Sequence, residues 1–554
     1  MPSSVPPRIG DGSLDFFRHE IDNMSISCPI RSIFFRHEID KVWIWCLKVS
    51  EELRHEIDNM SISCPIRFTF FRHQIDMDGF IGRQAERREF AELLKKKTAS
   101  LVTCQGRRRI GKSRLIEECA GSADHFLSFI GLPPREGILR QDQLDAFSGH
   151  LAKQTPSPRV ALDDWPTAFQ LLASQLPAKG AVVLLFDEIS WMAIGDKDFA
   201  GHLKTAWDLH FSKIPGLTLI LCGSVSSWIE ENILNSTGFV GRCSWQFHLK
   251  PLPLSECPAF WGNRAARVSA ADKWRMLAVT GGVPGYLEQL MPSRSAEENI
   301  ERLCFNQGGM LFNEFERIFH DIFSRRAATC RDIASTLVSG PKTLQEISNL
   351  LKRERGGSLG DALTDLELAG FIRKERFFDP LTGKARPRDH RYRIADNYLR
   401  FYLKYIAPAR ERVLKGLYQR VAIEMLEAWD IIMGYQFETL ILDSLDEVFE
   451  RLGLKTRAVL NAGPYAQSKT QRQQACQIDL LIRTRQAIYV CEMKFRRHIG
   501  SEVIEEVRGK VAKLKLPKSQ SVRTVLIHSG ELDPTIEPSD YFDYIINADE
   551  WVAG

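Results

Sequence analysis

SLVTCQGRRRIGKSRLIEECA, residues 100–120, joins an apolar run to a glycine-bounded loop and then to a helical pattern. SLVTCQG predicts a buried strand and RLIEECA a helix. Between them, Gly106–Ser113 has the form G-x-x-x-x-G-K-S. Gly106 and Gly111 permit a tight anion nest, Lys112 is placed for the β- and γ-phosphates, and Ser113 for Mg²⁺. The following helix turns its N-terminus toward the phosphates. Strand, loop and helix in this order predict an α/β fold built on a P-loop NTPase core, with ATP and Mg²⁺ as cofactors. Arg109, inside the loop, is counted among the nucleotide contacts.

Upstream, DGFIGRQAERREFAELLKK begins with a Gly82-Arg83 turn and continues as an amphipathic helix with Phe90, Leu93 and Leu94 at helical spacing. Downstream, AVVLLFDEIS is an apolar strand ending in acids, with Asp187 expected to hold the Mg²⁺ shell and Glu188 to polarise the attacking water. LTLILCGS predicts another buried strand. Its end places Ser224 either as a sensor of the γ-phosphate or in an ordinary Gly-Ser turn. Arg242 in GFVGRC reads as a trans-acting finger, a sensor, or a surface arginine.

At 554 residues, with about 150 per domain, the chain predicts three or four domains. A net charge of +4 with 26% charged residues provides no global field toward nucleic acid, so DNA contact has to come from local basic patches. The 12 cysteines lack metal-like spacing. Cys104, Cys222 and Cys491 lie in apolar runs and predict reduced, core-filling thiols. No apolar run approaches the ~20 residues of a membrane span, and the N-terminus lacks a signal-peptide pattern, so the expectation is a cytoplasmic protein. RHEIDNMSISCPIR recurs identically at Arg18 and Arg54. Each unit is shorter than known stacking repeats and is broken by Pro29 or Pro65. Residues 1–76 therefore read as a non-functional extension ahead of Met77.

In the middle, KTLQEISNLLK predicts a helix and GSLGDALTDLELAGFIRKE a second, with Leu363, Leu366 and Leu368 facing a core. RFFDPLTGKARPRDHRYRI predicts a β-wing, completing the order of a winged helix-turn-helix. Lys352, Arg353, Lys384, Arg386, Arg388 and Arg391 either bind phosphates there or belong to a packing and signalling module. Beyond it, WDIIMGYQFETLILDSLDEV predicts an amphipathic helix carrying Glu438. CQIDLLIRTRQAIYVCEMKFR predicts two strands turning near Arg485-Gln486. Asp479 and Glu492 would then be neighbours on adjacent strands, with Lys494 on the same face as Glu492. Two carboxylates suit Mg²⁺, and the lysine suits a water or a developing negative charge. Solubilising charges on an exposed hairpin are the competing account, against which LLI and IYVC imply burial. Arg508, Lys510 and Lys513 follow as candidate phosphate contacts.

FIGRQAE, GRRRIGKSRL, DDWPTAFQLL with Trp165, LLFDEISWMA, LILCGSVSSWIEENIL, GFVGRCSWQFHLKPL, GGVPGYLEQL and LFNEFERIF together resemble the archaeal-type ATPases of the AAA+/STAND group, over about Met77 to Phe323. RYRIADNYLRFYLKYI resembles the segment after the wing in that family, where Tyr392, Asp396 and Phe401 are structural. GGVPGYL departs from many AAA+ proteins in offering no second-sensor arginine. Asp479, Glu492, Lys494 and the helical acid Glu438 resemble the PD-(D/E)xK nucleases, with Ile478 where proline is common. After the repetitive extension (1–76), the resemblance implies a P-loop ATPase with a helical lid (77–325), a winged helix (326–410) and a restriction-endonuclease-like α/β domain (411–554). It implies an ATP-regulated, Mg²⁺-dependent nuclease acting on DNA, or else a STAND-type signalling switch that binds a partner or nucleic acid without cutting it. A homo-oligomer follows if Arg242 acts in trans.

Overall fold

A computed structural model describes residues 79–553, apart from 225–226, 324–325, 419–421, 423–424 and 472. The repeats and Met77 lie outside the described residues. Phe80–Gly554 forms one compact unit.

Its first sheet is wholly parallel, in the order β2-β3-β4-β1-β5. The strands are β1 (Ser100–Gly106), β2 (His125–Ile130), β3 (Val182–Asp187), β4 (Leu217–Ser224) and β5 (Cys243–Leu249). Every residue of β1 and β3 is buried, as expected of strands covered on both faces by helices. Trp165 is fully buried and packs edge-on to Phe147 and Phe199. The chain leaves β1 through the glycine loop into helix α1 (Lys112–Ala120). Because β4 lies between β1 and β3, the C-terminal ends of all three strands gather beside that loop.

Helices Ala327–Leu337, Leu344–Leu351 and Ser358–Leu368 follow, then the antiparallel hairpin β6 (Ile372–Phe378) and β7 (Ala385–Ile394). The expected second helix ends earlier than its pattern suggested. Gly370, at φ 75°, stops it, and Ile372 already belongs to a strand. Leu363 and Leu366 are buried, and Leu368 half-buried. The second sheet runs β12-β11-β10-β9-β8, formed by β8 (Val459–Gln467), β9 (Cys476–Thr484), β10 (Ala487–Ile499), β11 (Ser521–Leu532) and β12 (Tyr544–Asn547). It is antiparallel from β8 to β10 and parallel from β10 to β12. Thr484 Oγ1 accepts from Ala487 N–H at 3.0 Å and closes the two-residue turn at Arg485-Gln486. The helix predicted to run through WDIIMGYQFETLILDSLDEV divides at Ser444, giving α2 (Trp429–Asp443) and a short helix Leu445–Arg451. Cys104, Cys222 and Cys491 are fully buried. Among the described residues, no helix is long and apolar enough to cross a membrane.

Candidate functional site

The phosphate loop closes on itself. Lys112 Nζ donates to Gly106 O at 3.0 Å and Arg107 O at 3.3 Å, so the ammonium lies in the hollow of the backbone nest. Gly111, at φ 86°, holds a left-handed conformation that a side chain would strain. Ser113 Oγ donates to Asp187 Oδ2 at 2.6 Å, joining the head of α1 to the end of β3. That hydroxyl and carboxylate are hard oxygen donors side by side, and they fit Mg²⁺. Ser113 and Asp187 would hold the ion, whose charge would offset that of the phosphate oxygens. The next residue, Glu188, has φ 47°. Its carboxylate accepts from Ser224 N–H at 3.3 Å and from Ser224 Oγ at 3.2 Å. Lys112, Ser113, Asp187, Glu188 and Ser224 are thus brought together from three secondary-structure boundaries.

Two further candidates are ion-paired with acids. Arg109 donates to both carboxylate oxygens of Glu314, at 2.9 and 3.3 Å. Arg242 makes a two-point pair with Asp208 at 2.7 and 2.9 Å, and Lys204 meets the same carboxylate. Arg109 has a buried acid as partner, which its position inside the loop does not announce.

The outside supports of the loop were not read from the sequence. Arg83, buried and at φ 61°, donates to Ile110 O at 3.1 Å and Lys250 O at 2.6 Å. Gly285 N–H donates to Arg109 O at 3.1 Å. A Cβ on Gly285 would come 3.1 Å from that oxygen and from Arg109 Cβ, so glycine permits the close approach. GGVPG, lacking the second-sensor arginine, therefore braces the loop by its backbone. Arg107 is ion-paired with Asp396 and donates to Tyr286 OH at 3.1 Å. The FIGR arginine and the acid after the β6–β7 hairpin are the signals that carried this information.

A second charged cluster lies on the second sheet. The β9–β10 ladder ends at Leu480 and Cys491, so Asp479 and Glu492 stand where the strands part. Met493 N–H donates to Asp479 Oδ2 at 2.9 Å. Lys494 Nζ lies 2.8 Å from both Glu492 and Glu506, and Lys510 Nζ lies 2.5 Å from Glu492. Burial, with the charge of Glu438 next in weight, pushes Asp479 up to about 6. Burial and the Asp479 charge push Glu492 up to about 7. Glu438 itself is ion-paired at 2.8 Å with buried Arg393, which also meets Glu375 at 2.5 Å. Among the described residues, no group of three or more His, Cys, Asp or Glu is arranged to hold a metal ion. As arranged, the cluster does not fit Mg²⁺, since ammonium groups lie on both Glu492 oxygens. Lys510 and Glu506, neither counted with the core residues from the sequence, complete it from helix α3 (Glu502–Lys513).

A parallel sheet with this loop between β1 and α1, and an acidic β3 end facing it, defines a P-loop NTPase-like core. No family model matches the chain. It is 23% identical over 376 residues to an uncharacterised protein of Methanocaldococcus jannaschii, covering 67% of this chain and 78% of that one. Among solved structures it is similar to a Walker-type ATPase of Pyrococcus abyssi, with TM-score 0.42 and 18% identity, over 58% of this chain and 96% of that one. It is also similar to the ORC2 protein of Aeropyrum pernix, with TM-score 0.34 and 14% identity, over 61% and 97%.

Proposed function

We propose that the protein binds and hydrolyses ATP at Gly106–Ser113, in the manner of the archaeal-type AAA+/STAND ATPases. The observation that carries this reading is the contact of Ser113 with Asp187, next to the Glu188–Ser224 pair. These groups supply a cation site and a carboxylate base on adjacent residues beside the phosphate loop. Lys112 exchanges its loop carbonyls for the β/γ-phosphates, and Glu188 orients and deprotonates the attacking water.

A further step, ATP-regulated cleavage of DNA in the manner of PD-(D/E)xK nucleases, requires Lys494 and Lys510 to leave the Glu492 oxygens they now cover. Asp479, Glu492 and Lys494 supply its residue types, and the unit of three helices and a hairpin, read as a winged helix, supplies basic side chains for phosphate contact. A non-cutting signalling switch has its own observation in favour, since Lys494 and Lys510 both lie on Glu492.

One experiment separates these readings. Supercoiled plasmid is incubated with the full-length protein and Mg²⁺, with and without ATP, beside Lys494→Ala and Lys112→Ala. Nicking lost in the Lys494 variant and altered in the Lys112 variant establishes the nuclease. Phosphate release without nicking leaves the switch.

A further inference from the structure

Arg107 is the second residue of the phosphate loop, yet its side chain runs away from the loop's hollow. Its guanidinium, 9% exposed, is ion-paired with Asp396, which is 1% exposed. It also lies over the rings of Tyr286 and Phe371, at 5.4 and 5.9 Å. Asp396 is fixed on its other oxygen, which accepts from Leu399 N–H at 2.8 Å and caps the helix Asn397–Phe401. A buried charge pair of this kind holds position because losing either member leaves the other uncompensated.

The residues beside Asp396 reach the opposite way. Asn397 Nδ2 donates to Gln436 O at 3.3 Å, and Gln436 Nε2 donates back to Asn397 O at 2.7 Å. Arg400 donates to Gln436 Oε1 at 2.8 Å, and Arg393 to Glu438 at 2.8 Å. Gln436 and Glu438 both lie on α2, and the charge of Glu438 acts on Asp479. One eight-residue segment, Arg393–Arg400, therefore touches the phosphate loop through Asp396, and α2, the helix beside the acid–lysine cluster, through Arg393, Asn397 and Arg400. Asn397, Arg400 and Gln436 are all buried.

We infer that Asp396 is a positioning residue of the nucleotide site, and that Arg393–Arg400 is the element through which occupancy of the phosphate loop reaches the Asp479–Glu492 cluster. The inference rests on the reading of Gly106–Ser113 as a nucleotide site. Its physical basis is the double use of Arg107, whose carbonyl accepts from Lys112 while its side chain is clamped by Asp396. When phosphates claim Lys112, the backbone at Arg107 loses that contact, and the Asp396 clamp then fixes the loop. Any shift of Arg107 is felt at Asp396, and from there at Asn397 and Gln436. This supplies a route between nucleotide and C-terminal cluster in a chain whose GGVPGYL segment offers no second-sensor arginine.

The test uses the full-length protein and a non-hydrolysable ATP analogue with Mg²⁺. Asp396→Asn keeps the helix-cap acceptor and removes the charge. Titration calorimetry is expected to show affinity at least about tenfold weaker than wild type. Hydrogen exchange in wild type is expected to change on nucleotide addition in segments 393–400 and 429–443, and this response is expected to vanish in Asp396→Asn. A purely structural role would lower the melting temperature but leave the affinity of the folded protein and the exchange response intact, which overturns the inference. If Asp396→Asn fails to fold, the double variant Arg107→Met/Asp396→Leu replaces the pair with apolar groups. Wild-type affinity and exchange response there also overturn it. Lys112→Ala identifies the other failure, since binding that survives this change refutes the nucleotide-site reading itself.

Discussion

Ser113 Oγ donates to Asp187 Oδ2 at 2.6 Å, although the two residues stand 74 positions apart in sequence. The contact brings together the head of α1 and the end of β3, so the phosphate and cation halves of the site are assembled by the sheet order. Lys112→Ala removes the loop's ammonium and is expected to abolish ATP binding. Saturating ATP at about 100 times Kd stabilises a binding protein by about 2.7 kcal/mol. The corresponding rise in melting temperature should appear in wild type and be missing in Lys112→Ala.

The Glu188 carboxylate is held by Ser224, at the end of β4, which suits a base reserved for water. Glu188→Gln keeps the hydrogen-bonding shape and removes the basicity. Phosphate release should fall by about 10²- to 10⁴-fold with the ATP-induced thermal shift retained. Undiminished release would remove Glu188 from the chemistry.

The P-loop core was legible because its signals are local. β1, the glycine loop and α1 are contiguous, and strands buried on both faces announce themselves as apolar runs. The hairpin was legible for the same reason, since Arg485-Gln486 is a two-residue turn between such runs. Illegible were contacts set by three-dimensional packing. Three arginines inside a phosphate loop look alike in sequence, yet Arg107 faces Asp396 and Arg109 faces Glu314. Lys510 sits one helix away from Glu492, and nothing in its neighbours' spacing reveals that it shares the carboxylate with Lys494. The break at Ser444 likewise left no proline or glycine to mark it.

The carboxylates Asp479 and Glu492 are raised from 3.8 to about 6 and from 4.5 to about 7 by burial and by neighbouring charge. A carboxyl whose folded value lies above its unfolded one stabilises the fold most below the unfolded value. That stability is lost as pH rises through the folded value. Without added divalent metal, wild type should therefore lose stability between about pH 4 and pH 8. Asp479→Asn keeps an acceptor for Met493 N–H and removes the charge. It should be more stable than wild type by about 2 kcal/mol at pH 8 and nearly equal at pH 4. A melting-temperature difference that does not grow with pH would contradict a burial cost on the Asp479 charge.

Lys273 is a fully buried lysine whose ammonium donates to Val552 O at 2.7 Å and Ala553 O at 2.6 Å. Beside it, Trp274 Nε1 donates to Asp549 Oδ1 at 2.7 Å. The C-terminal turn Ala548–Val552 is thereby tied to the helix Ala270–Thr280, which precedes GGVPG. The C-terminal end of the described chain is therefore held by the helix that leads into GGVPG. Lys273→Met fits the apolar surroundings but leaves two carbonyls without a donor, at a cost of about 2–3 kcal/mol. The melting temperature should fall, and limited proteolysis should cut near the C-terminus faster than in wild type. Because that turn packs against β11 and its buried Trp551 and Val552 share a core with Val525 and Ile527, loosening it should also speed hydrogen exchange in 521–532. Unchanged proteolysis and exchange would mean that apolar packing alone seats the C-terminus and that the buried ammonium has no anchoring role.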